Sequence, residues 1–329
     1  MRLLVTGGSG FIGTHVARKA RSCGVEWLNI DIRPPVSGES PENWRQVDIM
    51  DSERLNAAVH GFNPTHVLHL AARTDTDSDV LSDYTVNTVG TMNVLLASAI
   101  TPALERFVFT SSQFVLRPGV VQQSDIHFDA HTTYGDSKSM GELLTRSSMP
   151  TSSWVIVRPT NVWGPWHPRY ADEFWRVLAR GLYLHPSGQK TRRTYGYVGN
   201  VVEQMWATLT LPSHRVAGRV FYLGDPPMLL KEWTDAFSQA LLGRPVRTVP
   251  ASVLKAMALV GDAGKKLGLR VPLTSSRFRS MTEDYITPTE GSIQALGASG
   301  VSLDEGVRET VDWLHRGESS ISQARKARS

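Results

Sequence analysis

Residues 2–13 read Arg2-Leu3-Leu4-Val5-Thr6-Gly7-Gly8-Ser9-Gly10-Phe11-Ile12-Gly13, an apolar strand that runs into a glycine-rich turn. The spacing of its glycines is G-x-x-G-x-x-G. Gly7 permits the tight turn after the strand, Gly10 lets a pyrophosphate approach the backbone, and Gly13 lets the next helix pack closely on the sheet. A helix predicted over about 11–23 would direct its N-terminal amides at the phosphates. The stretch therefore predicts a nucleotide-binding turn at the start of an α/β sheet.

A second apolar run, residues 27–30, ends in Asp31, about 20 residues beyond the glycines. A carboxylate at that position accepts hydrogen bonds from both hydroxyls of an adenosine ribose, and it repels a 2′-phosphate. Arg33 is the one neighbour that favours a 2′-phosphate. We weight Asp31 above Arg33 and predict NAD rather than NADP as the cofactor, with Ile32 and Arg33 also beside it.

Composition sets broad limits on the function. The 329 residues carry a formal charge of +4, with 41% hydrophobic and 20% charged residues, which is ordinary for a globular protein. Cys23 is the one cysteine, so an internal disulfide or a cysteine-built metal cluster cannot form, and no metal site is expected. No nucleic-acid motif, membrane span or signal peptide is recognisable. We therefore expect a cytoplasmic protein without a nucleic-acid partner.

Apolar strands alternate with helical patterns along the chain, which predicts a doubly wound parallel Rossmann sheet with helices on both faces. Proline and glycine become frequent after Arg158, where substrate-side insertions are expected to begin. We predict the following division: an NAD-binding domain over 1–165, with a sheet contribution from about 194–224; a smaller C-terminal α/β substrate lobe mainly over 166–316; and a flexible basic tail over 317–329. Further predicted elements are a short strand ending at 47–48 and helices over about 83–100, 133–147, 231–242, 251–260 and 303–315.

Tyr134 and Lys138 lie four residues apart in a predicted helix, so both side chains lie on one face. An ammonium beside a phenol favours the phenolate, which lets the tyrosine act as a base below its usual pKa of about 10. Upstream, residues 110–112 read Thr-Ser-Ser and end a predicted strand, where a parallel sheet presents side chains to a ligand. A tyrosine and a lysine at this spacing often form only a surface pair without a catalytic role, and serines are common at the ends of strands. The order of glycine turn, serine strand end and Tyr-Lys pair nevertheless favours a catalytic site.

These motifs resemble the extended short-chain dehydrogenase/reductase family, in particular its branch of NAD-dependent nucleotide-sugar epimerases and dehydratases. The resemblance covers nearly the whole chain. Its motifs are residues 6–13, Asp31, Asp48, the His-Leu-Ala-Ala run at 69–72, Asn87 within 86–91, Ser111 and Ser112, residues 134–138, and residues 158–165. The resemblance implies that Tyr134 is the base, that Lys138 binds the nicotinamide ribose, and that Ser112 holds the reacting oxygen. The cofactor contacts that it implies, besides the glycines, Asp31 and its two neighbours, are Phe11, Ile12, Asp48, Ile49, Leu70, Ala71, Ala72, Asn87, Thr110, Tyr134, Lys138 and Pro159.

The same resemblance points to a nucleotide-diphosphate sugar as substrate. It places Asn161 at the diphosphate, and Arg193 begins an Arg-x-aromatic-x-aromatic-Val run like the family's diphosphate clamp. A planar guanidinium suits such an oxyanion. Arg277 is the candidate for a second cation. Gln113, beside Ser112, is assigned to the sugar, although Gln113 and Phe114 stand where dehydratases of this branch carry Asp-Glu.

Three hypotheses about function stay open. The first is an NAD-dependent nucleotide-sugar 4-epimerase that acts by transient oxidation at C4 to a 4-keto intermediate. The second is a nucleotide-sugar 4-keto reductase or another NAD(P)-dependent hydroxyl dehydrogenase, which would use the same residues. The third is a non-catalytic NAD-binding regulator, against which the intact Ser112, Tyr134 and Lys138 argue.

Two surface features remain. By resemblance, the helices near 83–100 and 133–147 lie on one side of the sheet, and the first carries more apolar residues than one buried face requires. We therefore predict a homodimer through a four-helix contact with two-fold symmetry. Residues 252–272 combine an apolar face with lysines at 255, 265 and 266, which favours a helix packed on the substrate lobe over contact with a membrane or a hydrophobic acceptor.

Overall fold

The computed structural model describes residues 1–36, 41–150, 153–268, 271, 273–297 and 300–326. Its strands are β1 (Arg2–Thr6), β2 (Glu26–Asp31), β3 (Trp44–Gln46), β4 (His66–His69), β5 (Arg106–Thr110), β6 (Trp154–Pro159), β7 (Asn161–Trp163), β8 (Leu184–Pro186), β9 (Arg192–Arg193), β10 (Tyr195–Tyr197), β11 (Val220–Leu223), β12 (Met228–Leu229) and β13 (Arg247–Val249). Its α-helices are α1 (Phe11–Ser22), α2 (Ser52–Phe62), α3 (Thr91–Ala99), α4 (Thr133–Ser148), α5 (Pro168–Tyr170), α6 (Arg176–Ala179), α7 (Val198–Thr210), α8 (Ser213–Val216), α9 (Leu230–Leu242), α10 (Ala251–Lys266), α11 (Ser275–Thr282), α12 (Glu290–Leu296) and α13 (Leu303–Lys326). Short 3-10 or π turns lie at Pro41–Asn43, Leu81–Tyr84, Val86–Gly90, Gln113–Val115 and Ala171–Trp175.

Seven strands form one parallel sheet in the order β3-β2-β1-β4-β5-β6-β11. Helices flank this sheet: α1 packs beside α7, and α2, α3 and α4 pack in succession. The predicted doubly wound parallel fold is therefore confirmed. The strand order reverses between β1 and β4, and open α/β sheets bind ligands at the carboxyl ends of the strands at such a point. The topology thus places the ligand crevice beside the end of β1.

The core of the sheet is apolar on both faces because helices cover both faces. Leu4, Ile30, Val67, Phe107 and Ile156, one from each of five neighbouring strands, are completely buried and belong to one apolar cluster. Removing such a side chain to alanine typically costs about 2–5 kcal/mol of stability. Continuous apolar runs of this kind made the strands predictable from the sequence.

The chain forms two compact units. The first contains Met1–Val162, Val198–Asp225 and Pro288–Gly300, and the second contains Trp163–Tyr197, Pro226–Thr287 and Val301–Ser329. Pro288–Gly300 thus belongs to the first unit, although the sequence placed it in the substrate lobe. The reason is tertiary: α12 packs against β11 and α7, and the Thr289 hydroxyl donates a hydrogen bond to the Asp225 carbonyl at 3.1 Å.

The second unit has an aromatic core. Trp163, Trp175, Trp233 and Phe237 are buried there, and the ring of Tyr195 stacks on that of Trp233 with centroids 4.6 Å apart. Helix α9, which carries the central tryptophan, packs against α6 and α13. Stacked and edge-to-face ring pairs of this sort add stabilisation beyond their buried area.

Helix α13 is longer than predicted. The sequence predicted a helix over 303–315 and a flexible tail over 317–329, but the helix continues to Lys326. Alanine, glutamine, arginine and lysine favour helices, and no proline interrupts this stretch. Residues 327–329 lie outside the described residues. In the part of the chain that the structure describes, no helix has the length and apolar character needed to cross a membrane.

Candidate active site

In the glycine turn between β1 and α1, the backbone of the turn lies close to the backbone of the segment after β4. Gly7 has a φ of +75°, in the region that favours glycine, and a Cβ on it would lie 2.6 Å from the amide nitrogen of Ala71. A Cβ on Gly13 would lie 2.5 Å from the Gly7 carbonyl oxygen. A Cβ on Gly10 would approach that same oxygen to 3.2 Å and no other described atom within 4 Å. Gly10 also caps α1 without a side chain, so the turn leaves room for an anion at the helix N-terminus.

The carboxylate of Asp31 is held by the backbone. Its Oδ2 accepts a hydrogen bond from the Ser9 amide at 3.0 Å, and its Oδ1 accepts one from the Arg33 amide at 2.9 Å. The Ser9 hydroxyl donates to the Arg33 carbonyl at 2.8 Å and accepts from the Asn29 side chain at 2.9 Å. Each carboxylate oxygen keeps a further lone pair. Asp31 is thus fixed at the end of β2 with acceptors left for ribose hydroxyls.

The third strand ends earlier than predicted. β3 stops at Gln46, and Asp48 lies in a turn in which its Oδ1 accepts a hydrogen bond from the Met50 amide at 2.9 Å. The turn forms because an aspartate side chain competes for the backbone amide two residues later. Ile49 is buried against Gly90, where a Cβ would lie 2.7 Å from Ile49 Cδ1.

His69 links β1 to α3 and shapes the segment after β4. Its Nδ1 and the Thr6 hydroxyl are 2.6 Å apart, and its Nε2 lies 3.0 Å from the Thr91 hydroxyl. Burial lowers the pKa of His69 to about 3, so the ring is neutral near pH 7. The Leu70 amide donates to the Thr6 carbonyl at 2.9 Å, and the Ala71 amide donates to the Thr6 hydroxyl at 3.3 Å. This network fixes the backbone that the resemblance assigns to the cofactor; Ala72 follows, half-buried.

Asn87 lies in the π turn Val86–Gly90 and is buried. Its side chain accepts a hydrogen bond from the Arg73 amide at 2.8 Å and donates to the Arg73 carbonyl at 2.9 Å. It also donates to the Ser137 hydroxyl at 2.9 Å, which in turn donates to the Tyr134 carbonyl at 2.7 Å. Asn87 therefore ties the segment after β4 to the first turn of α4, where the candidate base lies.

Helix α4 presents Tyr134 in its first turn. The helix is capped by the Thr132 hydroxyl, which accepts the Gly135 amide at 3.1 Å. Tyr134 is buried, and its ring centroid lies 5.9 Å from that of Phe114 and 6.4 Å from that of Tyr84. Aromatic packing on two sides therefore helps to fix the position of the ring.

Lys138 lies one turn after Tyr134 and is buried. Its Nζ donates a hydrogen bond to the Thr110 carbonyl at 2.8 Å and lies 5.2 Å from the centroid of the Phe109 ring. Burial lowers the pKa of Lys138 to about 8, and the negative charge of Glu142 acts in the opposite direction. The structure therefore holds this ammonium group at the end of β5, on the same helix as the phenol.

The strand ends beside this pair carry hydroxyl groups. Ser112 begins a 3-10 turn in which its Oγ accepts the Phe114 amide at 3.2 Å, and Gln113 is buried in that turn. The buried hydroxyls of Thr110 and Thr160 have no hydrogen-bond partner among the residues that the structure describes. A buried polar atom is seldom left unpaired. These two atoms, one at the end of β5 and one just after β6, therefore indicate a place for a polar ligand.

A buried ion pair under the site was missed at the level of the sequence. Glu142 and Arg158 have completely buried side chains, and the guanidinium donates to both carboxylate oxygens at 2.8 Å. The Ser111 hydroxyl also donates to Glu142, and Arg158 donates to the Tyr222 hydroxyl at 2.9 Å. Burial acts to lower the pKa of Arg158, but its bonds to Glu142 outweigh that effect and raise it. The sequence shows only that Glu142 follows Lys138 by four residues, on the same helical face, and it does not pair Glu142 with Arg158.

The predicted substrate residues are divided between the units. Gln113 and Asn161 belong to the first unit, as do all the cofactor and catalytic candidates, whereas Arg193 and Arg277 belong to the second. Arg193 is only 8% exposed; it donates to the Ser280 carbonyl, and its buried Nε has no partner among the described residues. Arg277, on α11, is exposed.

The parallel sheet, the glycine turn, the held carboxylate and the Tyr-Lys pair define an enzyme of the extended short-chain dehydrogenase/reductase class. The sequence profile of the NAD dependent epimerase/dehydratase family matches residues 3–224, and the chain belongs to that family.

Two curated relatives and one solved structure illustrate the similarity. Mouse dTDP-D-glucose 4,6-dehydratase is 25% identical over 99% of this chain and 92% of its own. UDP-glucose 4-epimerase of Vibrio cholerae is 28% identical over 68% of this chain and 70% of its own. The UDP-glucose 4-epimerase of Thermus thermophilus, solved with NAD, superposes with a TM-score of 0.70 at 24% identity and covers 96% of this chain and 99% of that one.

NAD is the cofactor of this enzyme. The residues present fit a dinucleotide, because the turn at Gly10 is open and the oxygens of Asp31 keep acceptors. The buried hydroxyl of Thr110, which has no partner among the described residues, belongs to the residue whose carbonyl accepts the hydrogen bond of Lys138. When bound, NAD supplies a reversible hydride acceptor.

Asp31 predicts the choice between NAD and NADP. We expect calorimetry to show at least about tenfold tighter binding of NAD, or about 1.4 kcal/mol, because the carboxylate repels a 2′-phosphate. Asp31→Asn should lower the ratio of NAD affinity to NADP affinity, whereas Arg33→Ala should leave this ratio at or above the wild-type value. Equal or tighter binding of NADP by the wild-type protein would contradict the assignment.

Proposed function

We propose that the protein is an NAD-dependent nucleotide-sugar 4-epimerase. The observation that supports the proposal is a combination: the chain contains Ser112, Tyr134 and Lys138, whereas Gln113 and Phe114 follow Ser112. Elimination of water needs an acid and a base, and neither of these two side chains is a carboxylate. Both dehydratases and 4-epimerases are among the relatives, and the missing carboxylates favour the reaction of the 4-epimerases.

In the proposed reaction, the Tyr134 oxygen takes the proton of the C4 hydroxyl while C4 loses a hydride, which leaves a ketone at C4. The Ser112 hydroxyl donates a hydrogen bond to the reacting oxygen. Before this step Tyr134 is a phenolate, which the nearby Lys138 ammonium, held on the Thr110 carbonyl, stabilises; taking the proton makes Tyr134 a neutral phenol. Return of the hydride to the other face of C4, and of the proton from Tyr134, restores the alcohol with inverted configuration. The sugar is neither oxidised nor reduced overall.

To test this function, the protein is incubated with NAD and each of a panel of uridine and thymidine diphosphate sugars, and NMR monitors the conversion of the sugar. An epimerase brings a single substrate to a mixture of two C4 epimers without accumulating NADH. Stoichiometric NADH would instead establish a dehydrogenase or reductase, which is the second candidate. A 4-keto-6-deoxy product would establish a dehydratase, and the absence of any conversion across the panel would favour the non-catalytic regulator.

We further propose that Arg193 binds the diphosphate of the substrate. A guanidinium that is nine-tenths buried normally has a carboxylate partner. Among the described residues, Arg193 makes no ion pair, and its Nε is unpaired, while the ring centroid of Tyr285 lies 6.0 Å from its Cζ. A diphosphate would supply the missing negative charge.

Arg193→Ala should weaken nucleotide-sugar binding by about 2–3 kcal/mol, the range for hydrogen bonds to charged groups. Arg193→Lys should restore only part of this loss, because a point charge cannot make bidentate contacts. Substrate affinity measured by calorimetry on the NAD-loaded variants checks the expectation. Arg192→Ala is the matched control, since Arg192 is adjacent but exposed. Unchanged substrate affinity would move the test to Arg277, and a parallel loss of NAD binding would mean that Arg193 is structural.

We also propose that the protein is a homodimer through α3 and α4. Leu96, Met140 and Leu143 are exposed on these two packed helices, whereas Val94 and Leu95 are buried in the core. Sedimentation is expected to give a dimer at micromolar concentration, and Leu96→Glu combined with Leu143→Glu should give a monomer. A wild-type monomer at that concentration would contradict the proposal.

A further inference from the structure

The buried residues of helix α10, among the side chains that the structure describes, form a narrow stripe. Leu254, Ala258 and Gly261, spaced at i, i+4 and i+7, are its buried positions, and the helix packs against α11. A Cβ on Gly261 would lie 1.9 Å from the Leu273 carbonyl oxygen, so this stripe is pressed against backbone. Helix α10 is therefore present where the sequence predicted a helix, and its fully buried positions, among the side chains that the structure describes, form one stripe.

A second apolar stripe of α10 is exposed. Val253, Met257 and Val260, also at i, i+4 and i+7, are 47%, 45% and 74% exposed. Leu259 widens the stripe, and Lys255 lies one turn before Leu259 at its edge. A helix that needs only one buried stripe has no structural use for large apolar side chains on a second one. The arrangement of an exposed apolar face with lysine at its border is typical of helices that lie in a membrane interface.

The charge of this region is strongly positive. Residues 251–282, which comprise α10, α11 and the segment between them, contain one acidic residue, Asp262, and six basic residues, Lys255, Lys265, Lys266, Arg270, Arg277 and Arg279. The formal charge is therefore +5. The Asp262 carboxylate accepts the Ser275 amide at 3.0 Å, so it is directed at α11. Lys255, Lys265 and Arg279 are exposed.

We propose that the exposed stripe of α10 binds the surface of an anionic lipid bilayer. Val253, Met257, Leu259 and Val260 enter the boundary between headgroups and acyl chains, and the exposed Lys255, Lys265 and Arg279 contact anionic headgroups. Basic residues near such a surface are attracted to it, and the attraction weakens with salt. The helix lies on the membrane and does not span it.

A second copy of this chain fits the stripe less well. In a two-fold symmetric contact, the same patch faces itself. The +5 region would therefore meet an identical +5 region, and juxtaposed like charges oppose association. A bilayer that contains phosphatidylglycerol supplies the opposite charge together with an apolar layer.

Co-sedimentation of the full-length, NAD-loaded protein with vesicles tests the proposal. We expect about fivefold or greater binding to vesicles of phosphatidylcholine mixed with phosphatidylglycerol than to phosphatidylcholine alone, and release at high salt. Met257→Glu with Val260→Glu should abolish the binding, and Lys255→Glu with Lys265→Glu should reduce it. The control is Val121→Glu, at an apolar residue that is 82% exposed in the first unit and should bind like wild type.

Circular dichroism and NAD affinity establish that each variant is folded, which is expected because the substituted side chains are exposed. The proposal is overturned if the wild-type protein does not bind the anionic vesicles, or if the Met257→Glu, Val260→Glu variant binds them as the wild type does. It is also overturned if those substitutions dissociate an oligomer in sedimentation without any change in vesicle binding. That outcome would assign the stripe to a second copy.

Discussion

Tyr134→Phe is expected to lower turnover of the nucleotide sugar by roughly 100-fold or more, with NAD affinity nearly unchanged. The substitution removes only the hydroxyl group that exchanges a proton with the substrate. The ring stays in place because it packs against Tyr84 and Phe114, and Lys138 keeps its hydrogen bond to the Thr110 carbonyl. Turnover measured by NMR on the identified nucleotide sugar checks the expectation, with NAD titration as the internal reference.

Tyr84→Phe is the matched control for this experiment. Tyr84 is a buried tyrosine beside the site, and its hydroxyl donates a hydrogen bond to the Asp75 carbonyl at 3.0 Å. Loss of this hydrogen bond in Tyr84→Phe should lower the stability of the protein by about 1 kcal/mol and leave turnover within a few-fold of wild type. Near-normal turnover of Tyr134→Phe would show that another group is the base. An equal loss of turnover in both variants would show that the effect is structural.

The second large effect is expected at Glu142. Glu142→Ala should destabilise the protein by about 3–5 kcal/mol, because it leaves the completely buried guanidinium of Arg158 without a counter-charge. Denaturant unfolding measures the change as a shift of the midpoint. Since a typical domain is stable by only about 5–15 kcal/mol, the variant should lose a large part of its stability.

Two further variants separate loss of charge from loss of packing. Glu142→Gln keeps the shape but not the charge, and should lose most of the same stability. The control Glu203→Ala breaks an exposed pair, in which Lys19 Nζ lies 2.7 Å from the Glu203 carboxylate, and should cost no more than about 1 kcal/mol. Replacing both Glu142 and Arg158 by apolar residues of similar size should recover part of the loss. If Glu142→Ala destabilised the protein as little as Glu203→Ala does, the buried ion pair would not be important for stability.

Local geometry explains what could be predicted from the sequence. The turn at Gly7 and Gly13 allows no other residue, because backbone atoms occupy the space of a side chain. Asp31 ends a strand that pairs with β1, so its place follows from the fold. Tyr134 and Lys138 share a helical face by spacing alone.

Tertiary packing explains what could not be predicted. The contact of Glu142 with Arg158 joins a helix to a strand, and residue type alone does not reveal that both are buried. The predicted helix near 83–100 is divided into a 3-10 turn, a π turn and α3, and the π turn holds Asn87 between Arg73 and Ser137. A periodic apolar pattern does not show such a break. Likewise, only the structure shows that the Nε of Arg193 is buried and has no partner in the part of the chain that it describes.

The buried ammonium of Lys138 is needed for the proposed reaction but lowers the stability of the folded protein. Burial lowers its pKa from 10.5 to about 8, so between these values the unfolded chain holds a proton that the native chain has released. The contribution of Lys138 to the free energy of unfolding therefore rises as the pH rises from about 8 to 10.5. This contribution is least favourable below pH 8, where Lys138 is the ammonium that acts in the proposed reaction. Directed evolution for heat resistance alone would tend to discard Lys138, and an inactive, heat-resistant variant would be its product. A library of this enzyme must therefore be screened for turnover at every round.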